Sequence, residues 1–542
     1  MIKTEEKKPR HLIVGVDYDT TFSDAVGIED VEVIRTWGST SNSGSRYGTE
    51  KQVPSRIAYG CSITWGYHTD PKSTAYCWTK LLLDRYAQVS DFGDPGIRDV
   101  DGEGLMQTPP VSERILKVTP LEFWFTIPAL WSIRARNSTR DAAVKAGFGS
   151  RTDDEIHLVR EPEAAAIACL NELIKNGESP LVQVGNGVLD LASYEVTNAF
   201  PRPSLNQVCL SCRLKIGGKC GSTSIDRAFH KLMRSRFGDA FDCLPPHKTG
   251  ATSEFMGKFE SAKRDFGTSQ YSRTYRFHLK MKVENSDYYD SVDDEVLLTS
   301  EDMKSLFDPV VKQIIGLLEQ QVEATKEESS IEINTLVVVG GFGESPYLYS
   351  KIKEWCPPNI EPINPRQSWE AICLGAAIRG LEGPIVVKKK SKSHIGHRVS
   401  REYRPGIDAE SDSYLDPYDG SKKVSGYMDW MIARGEVITP ETVKANGYWR
   451  TWLDGPRKSS TLTSVKKMGE LCVDLSSVNF DMFDTKELET PYAWNKLKLY
   501  HVEFQVVTVV EDDLGYMHFR AVCHGRKVGE VRLEFGKEDS SQ

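Results

Sequence analysis

An apolar run from His11 to Val16, a polar stretch from Asp17 to Ser23 and a strand-like run from Asp24 to Ile28 predict a hairpin whose turn carries Thr20 and Thr21. About 170 residues later a glycine-bearing version lies between Pro180 and Val196, with Gly185 and Gly187 near its turn and Asp190 after it. Two such hairpins point to a duplicated α/β architecture, since a solenoid would repeat at a far shorter period. Between them, Phe123 to Ile127 reads as a buried strand ending at Pro128, and Ile156 to Val159 as another. Ser138 caps a helix expected from Thr139 to Ala146 and closed by Gly147. Glu161-Pro162-Glu163 opens an alanine-rich helix, with proline in the first turn where its missing N–H costs least.

Beyond the second hairpin, apolar spacing predicts helices from Asp226 to Phe237, from Phe255 to Phe266 and from Asp302 to Glu323. The last runs into a polar connector from Ala324 to Ser330. Ile331 to Val339 is a β-branched run leading into Gly340-Gly341-Phe342-Gly343, and helices are expected from Tyr347 to Trp355 and from Trp369 to Leu381. Near Pro384 the texture changes. The basic run from Lys388 to Lys392 reads as a solvated linker. The remainder is rich in Tyr, Trp, Gly and charge, and ends in strand-like runs from Val502 to Val509, Met517 to Val522 and Val528 to Phe535. The expected organisation is a frayed tail over 1–10, an α/β domain over 11–385 and a β-rich domain over 386–542.

At 542 residues the chain exceeds what one core organises. Hydrophobic content of 39% and charged content of 27% are ordinary for a soluble globular protein. The formal charge of −9 argues against a broad nucleic-acid or anionic-membrane surface. No stretch approaches the roughly 18 apolar residues a membrane span requires. The opening ten residues lack the apolar segment of a secretory signal, so the 11 cysteines are expected as reduced thiols in a cytoplasmic protein. Cys209, Cys212 and Cys220 cluster, yet no fourth ligand falls at a familiar zinc spacing, and the cluster reads as coincidence.

A tight turn ending in two threonines suits phosphate, because backbone N–H groups and hydroxyls converge there while a carboxylate such as Asp17 holds metal-bound water. Alone the pattern is common; the order of parts narrows it. Gly15 to Ser23 resembles the first phosphate motif of the heat-shock protein 70 family, within the actin-like ATPase superfamily. Thr126 to Trp131, Glu161 to Ala166 and Val339 to Pro346 are similar to further blocks of that family. The Gly-Phe-Gly-Glu-Ser-Pro form, Trp65-Gly66-Tyr67 and Met428-Asp429-Trp430-Met431 resemble its divergent fungal branch. The resemblance covers roughly residues 11 to 385.

It implies a two-lobed actin-like ATPase fold of duplicated ribonuclease-H-like lobes, with a β-rich C-terminal appendage. Lobe I would span about 11–198 plus 360–385 and lobe II about 199–359, clamping ATP or ADP with Mg²⁺. By position Asp17 would hold metal-bound water, Thr20 and Thr21 would face the phosphates, Glu161 would match the acidic residue near the metal, and Lys80 the catalytic lysine. Gly185, Gly187, Asp190 and Gly221 would lie on the phosphate side, and Glu260, Lys263, Arg264, Gly340 and Gly341 on the nucleoside side. Each also has a plainer reading. Asp17 closes a hairpin, Glu161 is a helix-start carboxylate, and Gly340 and Gly341 shape a turn. Glu260 to Arg264 form an exposed helix face, and Lys80 is a surface charge.

The departures are specific. Asp19 stands where the family has glycine, and a carboxylate about 4 Å from a phosphate costs on the order of 1 kcal/mol in water and about 4 at an effective dielectric of 20. The second family motif, Asp-x-Gly-Gly-Gly-Thr-x-Asp, is here Gln183, Val184, Gly185, Asn186, Gly187, Val188, Leu189 and Asp190. Neutral Gln183 offers Mg²⁺ an oxygen without charge, and Val188 forfeits a hydroxyl donor at about 0.5–1.5 kcal/mol. Three functions fit: an ATP- or ADP-binding switch with weak or absent hydrolysis, a pseudo-ATPase scaffold, or an enzyme of another class using the interlobe cleft for a small organic substrate. The first brings a protein client or co-chaperone as partner; none calls for nucleic acid or membrane.

Overall fold

Strand Leu12–Tyr18 is buried along nearly its whole length, as a strand flanked on both sides and covered on both faces must be. The structure, a computed structural model, describes residues 12–18, 22–28, 32–33, 53–59, 63–66, 69, 76–77, 80, 83, 119–129, 131, 133–175, 183–186, 190–198, 204–209, 221–250, 253–269, 271–329, 331–365, 368–383, 386–391, 394–439, 442–452, 483–488, 497–511 and 516–534. The chain divides into two units, Met1–Val387 and Lys388–Gln542.

In the first unit, Leu12–Tyr18 pairs antiparallel with Phe22–Ile28 and parallel with Leu121–Ile127, which pairs parallel with Glu155–Arg160. The register sets Asp17 opposite Asp24 and leaves Asp17 near the strand's C-terminal end. Helix Ala371–Glu382 rests directly on this sheet. A Cβ at Gly15 would come within 2.2 Å of the Cys373 carbonyl oxygen, and one at Gly375 within 1.7 Å of the Ala164 carbonyl oxygen. Glycine at both positions lets the helix touch the strand beneath it and helix Glu161–Lys175 beside it, backbone against backbone. Ala164, Ala165, Ala166, Ala376 and Ala377 keep that approach close, all fully buried.

A second sheet repeats the plan. Gln183–Asn186 and Asp190–Asn198 form an antiparallel hairpin, with Ser204–Cys209 beyond it. Thr335–Val338 lies parallel on the hairpin's other side and Glu361–Ile363 parallel to that. One apolar cluster holds Ile13 and Trp124 from the first sheet, Ala192 and Val337 from the second, and the two alanine-rich helices. A further core gathers Phe229, Phe255, Phe259 and Phe277, with Phe229 and Phe259 stacked at 3.8 Å between ring centroids.

The second unit contains no α-helix among its described residues. Ile395–Glu402 and Ser413–Leu415 flank Lys422–Ile432. A longer meander runs Val443–Trp452, Leu497–Glu511, Tyr516–Cys523 and Arg526–Glu534, with Asp484–Leu488 also paired to Leu497–Glu511. Asp408 accepts hydrogen bonds from the Tyr427 hydroxyl at 2.6 Å and the Arg404 N–H at 2.8 Å, and Lys423 is buried against Asp416 at 2.9 Å.

Four sequence expectations are corrected. The helix expected to begin after Ser138 spans Ile133–Lys145; Thr139 lies in its interior, donating its hydroxyl to the Ala135 carbonyl at 3.0 Å. The polar connector from Ala324 onward is the last part of helix Ser300–Ser329, held because Thr325 and Gln321 turn inward to a hydroxyl network with Ser193 at 2.7 and 2.9 Å. The strand expected from Ile331 starts at Thr335, where its parallel partner begins. The basic run is no solvated linker: Val386–Lys390 is a strand, Lys389 is buried, and Lys389 and Lys390 pair with Ile438 and Val437.

Candidate functional site

Asp17 and Glu161 are buried in the first unit, each with a donor supplied by a different part of the chain. The Thr126 hydroxyl donates to Asp17 Oδ1 at 2.5 Å, and both residues are buried. Parallel pairing of their strands brings them together, with Thr126 reached just before Pro128 ends its strand. Glu161 is the first residue of helix Glu161–Lys175, where the helix dipole favours a carboxylate. Its Oε1 lies 2.5 Å from Lys80 Nζ, and the two side chains are 4% and 2% exposed. The Trp131 ring centroid lies 6.0 Å from the same ammonium. Lys80 is therefore not the surface charge its sequence suggested. Taking two charges out of water costs several kcal/mol per ion, a cost that close pairing offsets.

The phosphate-side candidates are placed unevenly. Asp19, Thr20, Thr21, Gly187 and Val188 lie outside the described residues. The backbone register of the second hairpin puts Gln183 opposite Ser193, Gly185 opposite Leu191 and Asn186 opposite Asp190. Gly221 precedes helix Thr223–Phe237, its carbonyl accepting the Ser224 N–H at 2.9 Å.

The nucleoside-side candidates come together. Helix Glu254–Asp265 starts where the Ser253 hydroxyl accepts the Met256 N–H at 3.1 Å. Toward its end, Glu260 contacts Lys263 at 2.5 Å and Arg264 at 3.0 Å, while Lys263 also reaches Asp226 at 2.7 Å. Lys263 is buried, so Glu260 to Arg264 is not simply an exposed helix face. Burial alone would lower the Lys263 ammonium, but Asp226 and Glu260 raise it instead. Burial also works against ionised Glu260, yet Lys263 and Arg264 hold it below the usual carboxyl range. At Asp226 burial prevails and lifts the carboxyl, which favours its neutral form, while the raised Lys263 favours its charged form. Two carboxylates on one buried ammonium hold Lys263 in its charged form.

Arg264 continues outward to stack on Trp369, its guanidinium carbon 4.5 Å from the ring centroid. The Gly340-Gly341 turn lies against the same indole. Gly340 adopts φ +88°, which glycine takes without strain, and donates its N–H to the Ser368 carbonyl at 3.0 Å. A Cβ at Gly341 would sit 3.5 to 3.7 Å from three atoms of the Trp369 ring. Sequence reasoning named Glu260, Lys263, Arg264, Gly340 and Gly341 but missed Trp369, Asp226 and Thr126.

Among the described residues no helix is long and apolar enough to cross a membrane. A family model described as Hsp70 protein matches residues 110–388, just over half of the chain. Heat shock 70 kDa protein 12A of Mus musculus and of Homo sapiens are each 24% identical over 388 residues, covering 58% of this chain and 56% of the relative. The chaperone protein DnaK of Thermoplasma volcanium is 26% identical over 266 residues, covering 48% and 40%. The chain thus spans about half the length of the curated relatives it matches. With mixed α/β sheets beneath paired helices and a family match running from before strand Leu121–Ile127 through helix Ala371–Glu382, the chain belongs to the Hsp70 family.

Proposed function

We propose that the chain is a two-lobed nucleotide clamp that binds adenosine nucleotides and turns them over weakly or not at all. The observation carrying the binding half is the convergence of Glu260, Lys263, Arg264, Gly340 and Gly341, a rigid charged helix end facing a glycine turn. A planar guanidinium fixed by a carboxylate and a backbone without side-chain bulk suit an aromatic base and its ribose. The hydrolysis half rests on sequence: neutral Gln183 replaces a carboxylate, and Asp19 adds one beside the phosphates.

Among the described residues no three His, Cys, Asp or Glu side chains converge on a metal position. That donor set fits Mg²⁺ only as it usually binds beside nucleotides, through phosphate oxygens and water with one protein carboxylate. Asp17, oriented by the Thr126 hydroxyl, would be that carboxylate. Bound Mg²⁺ would neutralise charge on the phosphates. Lys80 and Glu161 would hold a fixed pair of opposite charges near the phosphate end. The chaperone name of the Thermoplasma relative supports a protein client or co-chaperone as partner.

Thermal shifts with adenosine, ADP and ATP, each with and without Mg²⁺, test the proposal. Adenosine and ADP are expected to stabilise the protein more than ATP. No shift with any of the three removes the nucleotide reading, and a largest shift with Mg-ATP overturns the argument from Asp19.

A further inference from the structure

The face of Arg264 that a flat ligand would use is already covered. We infer that Trp369 is a tethered competitor for the aromatic-ligand subsite, occupying the guanidinium face of Arg264 until an incoming planar ring displaces its indole. This deepens the nucleotide-clamp reading and rests on it.

Two observations converge on the indole. The Arg264 guanidinium carbon lies 4.5 Å from its ring centroid, the separation of a stacked cation and aromatic ring. Gly341 lies on the indole as well, close enough that even a methyl group there would reach van der Waals contact with three ring atoms. The ring therefore fills the space between the helix end and the glycine turn, where an aromatic ligand held by these residues would lie.

The anchoring lies in the backbone beside the indole. Ser368 is tied to the turn twice, its carbonyl accepting the Gly340 N–H at 3.0 Å and its hydroxyl donating to the Val338 carbonyl at 3.3 Å. Trp369 follows immediately and precedes helix Ala371–Glu382, while its side chain is only half-buried. Rotation about its side-chain torsions moves the ring off Arg264 without unfolding either anchor. Arg264 itself stays in place, held by Glu260 at 3.0 Å. The competition selects a planar, electron-rich ring able to replace indole on a guanidinium. A purine nucleoside meets that requirement, whereas a sugar or an aliphatic acid does not.

The test uses the full chain with adenosine alone as probe, so that phosphate-side residues have no part in the result. Affinity is measured by calorimetry for the unmodified protein, Trp369→Ala, Trp369→Leu and Trp369→Phe, with unliganded melting curves confirming the fold of each. Removing the internal competitor is expected to tighten adenosine binding by roughly five- to tenfold in the Ala and Leu variants, with Phe intermediate. Adding Arg264→Leu to Trp369→Ala is expected to abolish that gain. In the unmodified protein labelled with 5-fluorotryptophan, the Trp369 ¹⁹F resonance, assigned by its loss in Trp369→Phe, is expected to move on saturation with adenosine. If the unmodified protein binds adenosine and the Ala and Leu variants bind it equally or more weakly, Trp369 is a platform or a bystander and the inference falls while the clamp reading stands. If no variant binds adenosine, both fall together.

Discussion

Lys80 Nζ lies 2.5 Å from Glu161 Oε1, with the two residues 81 positions apart in sequence and nearly absent from the surface. Such a pair stabilises only while it is complete. Lys80→Met or Glu161→Gln alone is expected to destabilise the protein by about 3–5 kcal/mol, because each leaves a buried charge without the opposite charge 2.5 Å away. The double variant Lys80→Met/Glu161→Gln is expected to lose clearly less than the sum. A double-mutant cycle from urea denaturation checks this, and additive losses would mean that the two side chains are not coupled.

Thr126 sits one step behind Asp17. Thr126→Val keeps shape but removes the hydroxyl that donates to Asp17 Oδ1, leaving a buried carboxylate short of a donor. The expected loss is about 1–3 kcal/mol, with Thr126→Ser recovering most of it. Equal melting temperatures for the Val and Ser variants would show that the hydroxyl contributes nothing.

Gly15→Ala places a methyl group where the Cys373 carbonyl oxygen already lies, 2.2 Å from the new carbon. Backbone cannot yield as a side-chain tip can, so a loss of about 1–3 kcal/mol or more is expected from overpacking. Chemical denaturation measures it; an unchanged midpoint would mean that helix Ala371–Glu382 does not rest on the strand.

In the second unit, the Tyr427 hydroxyl, together with the Arg404 N–H and Arg401, outweighs burial and holds the Asp408 carboxyl at about 2 against an ordinary 3.8. A carboxyl depressed on folding contributes stability that is fully present above its unfolded value and is lost as pH falls through the folded one. Stability from Asp408 is therefore expected to persist above about pH 4 and to disappear toward pH 2. Hydrogen exchange of Arg404 and its neighbours across that range should rise in the unmodified protein and be elevated already at pH 5 in Asp408→Asn. Identical profiles for the two proteins would exclude the effect.

Gln183→Asp with Asp19→Gly and Val188→Thr supplies the carboxylate, turn and hydroxyl that the family motif carries. The triple variant is expected to gain affinity for Mg-ATP or measurable hydrolysis, read by calorimetry and phosphate release. Robust turnover by the unmodified protein, abolished by Asp17→Asn, would contradict the reading of these positions.

What the sequence made legible was whatever repeats locally. Aliphatic runs ending in polar turns marked both hairpins, and the alanine run after Glu161-Pro162-Glu163 marked a buried helix. The end of helix Ser300–Ser329 was hidden because its last turns carry little apolar periodicity; what holds Thr325 and Gln321 inward is the hydroxyl of Ser193, on another element. Lys80 was misjudged for the same reason. A lysine reads as exposed until its partner is known, and nothing near residue 80 announces Glu161. Arg264 was legible as a charge on a helix, but its stacking on Trp369 exists only in three dimensions.

The seat of helix Ala371–Glu382 constrains how any event at Trp369 can travel. Without side chains at Gly15 and Gly375 to act as spacers, the helix meets the neighbouring backbones directly, and sliding it along its axis would drive the Cys373 and Ala164 carbonyls into adjoining main chain. A lever with no slack at its fulcrum transmits rotation of the whole body but absorbs no partial stroke. Side-chain rotation of the indole therefore leaves the helix where it is, and any backbone motion that reaches residue 371 carries the helix and the sheet beneath it as one piece.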